Sequence, residues 1–259
     1  MKFALIGLGF ISKRHIEAIQ KIGGELILTC DIDPDKKADF INYNEMFEDP
    51  RYNAVDFVTI ATPNWTHADI CREVLATGKK VLCEKPLTIN NDYEGLEEVN
   101  NVMQLRYNPM LKYYNGNIDI FVKTYREPAY FESWKGDPRL SGGILYNMGV
   151  HYIDLLCHIL GRPVEIKKSY YTQNLAYGEV LFEKGRGTYH IELATEPCPV
   201  IRKIIVNGVS HNLEGATIPL KGGNVKNLHT RVYEEMLRGK GLKLNEARKS
   251  LDLIKKLCS

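Results

Sequence analysis

Lys2-Phe3-Ala4-Leu5-Ile6-Gly7-Leu8-Gly9-Phe10-Ile11-Ser12 is the stretch that decides the fold. Lys2 to Ile6 reads as a strand, and the segment from Phe10 to Ile22 reads as a helix. A glycine turn between strand and helix lets backbone N–H groups approach a pyrophosphate, and the helix N-terminus favours its charge. Gly7, Gly9, Phe10 and Ile11 are therefore candidate cofactor contacts. The pattern alone is a weak signal, and Ser12 replaces its third glycine, which relaxes it further. Asp31 strengthens it. This acid follows a second strand, Glu25–Cys30, roughly 20 residues on, where a carboxylate binds the adenosine ribose hydroxyls. Ile32 lies beside it, Asp33 adds a second carboxylate, and no arginine follows Asp31 to receive a 2′-phosphate. The pattern favours NAD over NADP; the alternative for Asp31 is a turn or cap aspartate before Pro34.

Outward from this stretch, strand and helix alternate over residues 1–105. Val55–Ala61 and Lys80–Cys83 read as strands. Trp65–Thr77 is amphipathic, with Ile70, Val74 and Leu75 at helical spacing and Gly78 as its stop. Asp92–Asn101 reads as a short helix and Val102–Tyr107 as a closing strand. The expectation is α/β: a doubly wound parallel sheet. Residues 106–259 change style. Asn117–Glu127, Val164–Thr172, Tyr177–Glu183, Gly187–Leu193 and Ile201–Asn207 are β-branched and aromatic runs, with turns at Lys184-Gly185 and Asn207-Gly208. A helix near Asn147–Leu160 interrupts them, and His229–Leu237 and Asn245–Leu257 form a helical tail, one helix of which is expected to pack back on the first domain. This predicts an α+β domain with a largely antiparallel open sheet, and such a sheet invites a homodimer or homotetramer.

Of the 259 residues, 44% are hydrophobic and 25% charged, ordinary for a globular chain. No apolar run approaches the ~20 residues needed to span a bilayer. Met1-Lys2 leads straight into a strand, so no signal peptide is expected and a cytoplasmic location is. The six cysteines are scattered without a Cys-x-x-Cys pair, which argues against a disulfide framework. The net charge of +2 hides an acidic first part and a basic second part. The basic part suits an anionic small substrate or is simply solvated surface. Nucleic acid is not expected, because the basic residues are dispersed.

Val81-Leu82-Cys83-Glu84-Lys85-Pro86 places a lysine at a strand end, on the edge where cofactor and substrate meet. Ala61-Thr62-Pro63 ends the preceding strand and is expected to line the cofactor; a plain turn is the alternative. His67, one turn into the next helix, either touches cofactor or substrate or is a surface histidine. Oxidising a secondary alcohol needs a general base, or a cation that stabilises the developing alkoxide. Lys85 is the first candidate, with Glu84 to orient it. His151 is the second: Asn147 and His151 are four apart on one helical face, and Asp154 is placed to hold the imidazole tautomer. Alone, a histidine on an apolar helix is more often a packed core residue. A metal reading is poor, because His151 and Asp154 lack an obvious third ligand and the other histidines show no ligand spacing.

With these segments assembled, the chain resembles the glucose-fructose oxidoreductase, inositol dehydrogenase and MocA-like family. The opening fingerprint, Asp31, Ala61-Thr62-Pro63, Glu84-Lys85-Pro86 and the Gly142–Asp154 helix match in order, over nearly the whole chain. The resemblance implies a Rossmann domain followed by an α/β domain, NAD as cofactor, and Lys85 with His151 as the catalytic pair. Met103-Gln104-Leu105-Arg106, Glu132-Ser133-Trp134-Lys135-Gly136-Asp137-Pro138, Asn147-Met148-Gly149-Val150-His151 and Asn227-Leu228-His229-Thr230 look like the branch that oxidises UDP-N-acetyl-D-glucosaminuronic acid at C3 for bacterial surface polysaccharide. Some members of that branch regenerate bound NAD with 2-oxoglutarate. The resemblance adds Gln104 as a cofactor contact. Asparagine cannot act as a base, so Asn147 is expected to position substrate by hydrogen bonding. Arg106, Lys135, Arg139 and His229 are candidate partners for the anionic groups of a UDP-linked uronic acid by charge. Lys135 is otherwise a solvated lysine, and Trp134 packs on the sugar or pins its loop. Other readings are a free polyol or another nucleotide sugar as substrate, or a non-catalytic module that holds NAD. The stretch between Pro86 and Gln104 has room for one abbreviated helix only, which makes the first domain short.

Overall fold

A computed structural model describes residues 1–108, 116–213 and 228–259, with the backbone of two short strands at 217–218 and 226–227. Asn227 therefore lies outside the residues whose side chains are described. The chain divides into two compact units. The first comprises residues 1–88, 92–104 and 217–245; the second comprises 89–91, 105–216 and 246–259.

The first unit is built on five parallel strands: β1 (Lys2–Ile6), β2 (Glu25–Cys30), β3 (Phe57–Ile60), β4 (Lys80–Cys83) and β5 (Asn100–Asn101). Their order is β2-β1-β3-β4-β5. β3 is buried throughout and β1 beyond its first residue, as parallel strands are when both faces are covered. Helices α1 (Ser12–Lys21), α2 (Tyr43–Glu48) and α3 (His67–Ala76) connect the first four in turn. The order reverses beside β1, so the carboxyl ends of β1, β3 and β4 collect Gly7, Ala61 and Lys85 at one edge, where ligands of such sheets bind.

Two expectations for this unit fail. No helix forms over 92–101, because Gly95 turns left-handed at φ +71° and Asn91 does so just before it. Nor is 102–107 a strand; pairing occurs at Asn100 and Asn101, and Gln104–Tyr107 is a 3-10 turn. The Asn100 amide donates to Val81 O at 3.1 Å and the Asn101 amide to Cys83 O at 3.1 Å, which pins this segment to β4.

The second unit carries β6 (Ile118–Tyr125), α4 (Pro128–Glu132), α5 (Pro138–Ser141), α6 (Val150–Leu160), β7 (Pro163–Tyr171), β8 (Leu175–Phe182), β9 (Gly185–Ala194), β10 (Ile201–Val206) and β11 (Val209–Asn212). The sheet order is β11-β10-β6-β9-β8-β7. All pairs are antiparallel except β6 with β9. The exception follows from the helical crossover between β6 and β7, which brings the β7-β8-β9 meander back beside β6 in the same direction. Alternating burial along β6 and β8 marks a sheet with one covered face. Asn207 and Gly208 have φ of 50° and 85°, the two left-handed residues that a tight hairpin requires. The tail comprises β12 (Thr217–Ile218), β13 (Lys226–Asn227), α7 (Leu228–Leu237) in the first unit and α8 (Leu244–Leu257), which falls almost wholly in the second. Among the described residues no helix is long and apolar enough to cross a membrane, and all six cysteines are free thiols.

Candidate active site

The glycine turn after β1 is shaped by contact. Gly7 sits at φ +94°, and a Cβ there would lie 2.6 Å from Ala61 O, so only glycine fits. Gly9 faces open space. The Ser12 hydroxyl donates to Gly9 O at 2.6 Å, which closes the turn without a third glycine. Asp31 Oδ2 accepts the Leu8 N–H at 2.6 Å and Oδ1 accepts the Asp33 N–H at 2.9 Å. Each oxygen keeps a second lone pair for a ribose hydroxyl. Phe10 and Ile32 are 90% and 86% exposed, apolar surfaces beside the turn on which a nucleotide can lie. The open glycine, the two strand-end loops and this acid fit a dinucleotide, and Gly7, Gly9, Phe10, Ile11, Asp31 and Ile32 are the candidate residues to hold it.

Glu84 and Lys85 follow β4. Lys85 is half-buried among buried neighbours, and the Lys85-Pro86 bond is cis. Glu84 is buried and accepts the Lys85 N–H at 3.1 Å through Oε2. Its Oε1 lies 3.0 Å from His15 Nε2 and 3.4 Å from His229 Nε2. His15 Nδ1 lies 3.0 Å from the Tyr233 hydroxyl, which is 2.9 Å from Thr59 Oγ1. Burial pushes the Glu84 carboxyl up, but the two imidazoles outweigh it and hold the acid well below the usual carboxylate range. Burial lowers the His15 pKa. An ionised Glu84 and a neutral His15 fix the direction of the chain. His15 donates from Nε2 to Glu84 and accepts the Tyr233 O–H at Nδ1, and Tyr233 accepts from Thr59.

Glu84 and His229, expected at cofactor and substrate, thus lie in this buried network. His15, His229 and Glu84 form a compact group that could hold a metal ion. A 3.0 Å hydrogen bond already occupies the space between His15 and Glu84. Sequence spacing hid the cluster because its members come from α1, α7 and the end of β4. His67 is likewise not a surface residue. Its Nδ1 lies 2.7 Å from Pro86 O and its Nε2 2.8 Å from Thr62 O, so it ties the loop after β3 to the loop after β4 instead of contacting a ligand through its nitrogens. Ala61 is buried beneath Gly7, Thr62 Oγ1 accepts from Thr66, and Pro63 precedes the 3-10 turn into α3. Gln104 opens the 3-10 turn after β5.

In the second unit, His151 is half-exposed on a helix whose neighbours are buried, so it is not a packed core residue. Asn147 lies in a π-type turn, Leu145–Gly149, that leads into α6. Such wide turns often mark functional sites. The Asn147 amide donates to the Tyr130 hydroxyl at 2.9 Å. Asp154 does not orient His151. Its oxygens accept from Arg106 Nε and Nη2, both at 2.7 Å, and from Ser250 at 3.2 Å. Arg106 also donates to Glu246 at 3.1 Å and is buried, so it is an internal brace and not a substrate contact. Arg139 is paired with Asp137 at 2.7 Å on the surface. Lys135 stands 5.8 Å from the ring centres of both Tyr130 and Trp134, which pins Trp134 beside it.

Comparison with known proteins places both domains in one family. Residues 1–108 match the oxidoreductase family with an NAD-binding Rossmann fold, and residues 114–208 match the C-terminal alpha/beta domain of the same family. The WlbA (WbpB) dehydrogenase from Thermus thermophilus, solved with NAD and UDP-GlcNAcA, superposes with a TM-score of 0.83 at 28% identity, covering 97% of this chain and 92% of that one. A curated oxidoreductase from Formosa agariphila is 27% identical over 68% of this chain, and the myo-inositol 2-dehydrogenase of Thermotoga maritima is 25% identical over 64% of it. The chain spans 65% and 56% of the lengths of these two curated relatives. With both of its domains matched, the chain belongs to the glucose-fructose oxidoreductase, inositol dehydrogenase and MocA-like family of NAD-binding oxidoreductases.

Proposed function

We propose that the protein is an NAD-dependent dehydrogenase that oxidises the C3 hydroxyl of UDP-N-acetyl-D-glucosaminuronic acid to the 3-keto sugar nucleotide, a step in making sugars for bacterial surface polysaccharide. The observation that carries this reading is the likeness, over 97% of the chain, to a dehydrogenase solved with NAD and UDP-GlcNAcA. NAD, when bound, accepts the hydride from C3. Lys85 and His151 are the proton-handling pair: one takes the hydroxyl proton and the other polarises the oxygen. Asn147 orients the sugar by hydrogen bonding. A related structure was solved with NAD and alpha-ketoglutarate, which supports 2-oxoglutarate as the acceptor that returns NADH to NAD.

The decisive assay follows the NADH absorbance band with UDP-N-acetylglucosaminuronate, with and without 2-oxoglutarate. Reduced cofactor or a 3-keto product is expected; neither in both conditions sinks the substrate assignment. A second reading, a free polyol as substrate, is favoured by the inositol dehydrogenase among the curated relatives. UDP alone should raise the melting temperature under the first reading and leave it unchanged under the second. NADH binding without turnover on any alcohol would instead mark a non-catalytic module.

A further inference from the structure

The second unit holds a cavity of about 500 Å³ lined by Tyr130, Lys135, Gly142, Tyr146, Asn147 and Gln173, among others. Its charge is unbalanced: the residues that line it include the Lys135 ammonium and no aspartate or glutamate. Neither Lys135 nor the nearby Arg126 faces a carboxylate among the described residues, as Lys123, Arg139, Arg162, Lys167 and Arg186 of this unit do within 3.0 Å. The Lys135 ammonium lies over the Tyr130 and Trp134 rings, 5.8 Å from each centre. The Arg126 guanidinium lies over the same Tyr130 ring at 5.2 Å. Arg126 Nη1 donates to Thr124 Oγ1 and Tyr125 O, both at 3.3 Å, and its buried Nε has no hydrogen-bond partner among the described residues. Lys135 is exposed overall, yet loss of solvent around its ammonium and the Arg126 charge both lower its proton affinity. Two cations are thus held on one aromatic ring, with no acid between them among the described residues.

We propose that this corner of the cavity is a carboxylate site, and that Lys135, backed by Arg126, selects a sugar acid over the corresponding neutral sugar. The other walls suit the remainder of such a ligand. Aromatic rings offer a flat apolar surface to the C–H face of a sugar, and the Asn147 amide and Tyr130 hydroxyl present polar atoms for its hydroxyls. A carboxylate supplies the missing counter-charge, and an ammonium binds it as a short charge-assisted pair. Lys135 is the direct contact; Arg126 raises the local positive potential and fixes Tyr130. This assignment rests on the sugar-nucleotide reading above and names the group that the pocket recognises.

UDP-glucuronate and UDP-glucose differ in the group on C5, a carboxylate in one and a hydroxymethyl in the other, which makes them the test pair. Calorimetry on the NADH-loaded protein should give a Kd for the acid at least ~10-fold lower than for the neutral sugar, the scale of one hydrogen bond to a charged group. Lys135→Met and Arg126→Met should each erase most of that preference by weakening the acid alone, and Lys135→Arg should restore part of it. Far-UV circular dichroism checks that each variant folds. An unchanged preference in both Met variants overturns the site, and so does a wild-type protein that binds neither UDP-glucuronate nor free glucuronate. An equal loss with UDP alone means that the cations hold the pyrophosphate, and a loss confined to 2-oxoglutarate moves the site to a keto acid; either overturns the sugar-acid assignment. Hydride transfer is read separately. Selectivity that falls in the variants without NADH formation sinks the dehydrogenase reading and leaves the carboxylate site standing.

Discussion

Each unit buries one carboxylate next to a residue proposed to move a proton, and the two solve the burial differently. Glu84, beside Lys85, is held by histidines and a backbone N–H. Asp154, three residues after His151, is held by the two-pronged Arg106 guanidinium and by Ser250. A guanidinium stays charged at any physiological pH, so the second arrangement is a permanent ion pair. An imidazole such as His15, neutral here because burial lowers its pKa, can still gain a proton in acid, so the first arrangement responds to pH. The difference teaches that the strand end carrying Lys85 is set by titratable groups, whereas the start of α6 is braced by a fixed charge.

The comparison can be broken most directly at its two proton-handling neighbours. Lys85→Ala and His151→Ala should each lower turnover by a factor of ~10²–10⁴ with the fold kept; near wild-type rates in either removes that residue from the mechanism. Next comes the brace. Arg106→Met leaves Asp154 buried without its cation and should destabilise the protein by about 3–5 kcal/mol in urea unfolding. Glu84→Gln, which keeps an acceptor and loses the charge, should cost less, about 1–3 kcal/mol. The reverse order would mean that the imidazole network, not the ion pair, is the stiffer element.

A pH series sharpens the contrast. His15 and His67 both have pKa values lowered chiefly by burial. Below about pH 6.5 the unfolded chain binds protons that the folded chain refuses, so stability should fall as the pH drops through that value. The depressed Glu84 adds its own loss only at lower pH, below its unfolded value near ~4.3. His15→Gln should flatten the slope near pH 6, measured by urea midpoints from pH 8 to 5; Arg106→Met should lower the midpoints and leave that slope in place. The smallest effect belongs to Tyr233→Phe, which removes the hydroxyl that links His15 to Thr59. About 1 kcal/mol is expected, and a neutral outcome would detach Tyr233 from the network.

Much of the frame was legible along the chain. The strand-turn-helix opening, Asp31 and the strand-end lysine are local patterns, and their geometry follows from short-range sterics at Gly7 and the edge of a parallel sheet. Charge was a poorer guide. Arg106, Arg139 and His229 looked alike as candidate anion contacts, yet one is a buried brace, one a surface pair and one part of the Glu84 network. Arg126 belongs to no motif that marks it along the chain. The helix expected over 92–101 failed because acidic and apolar spacing there competes with Gly95 and two asparagine side chains that grip β4.

By itself, then, the order of residues determined the strand-end edge and which side chains stand on it, because periodicity and glycine placement act within a few residues. Only the tertiary structure decided which charges are already satisfied. A hydrogen-bonding or charged partner can come from 48, 69 or 218 positions away, as with Arg106 to Asp154, His15 to Glu84 and Tyr233 to His15, and such pairing depends on distance in space, which no local pattern encodes.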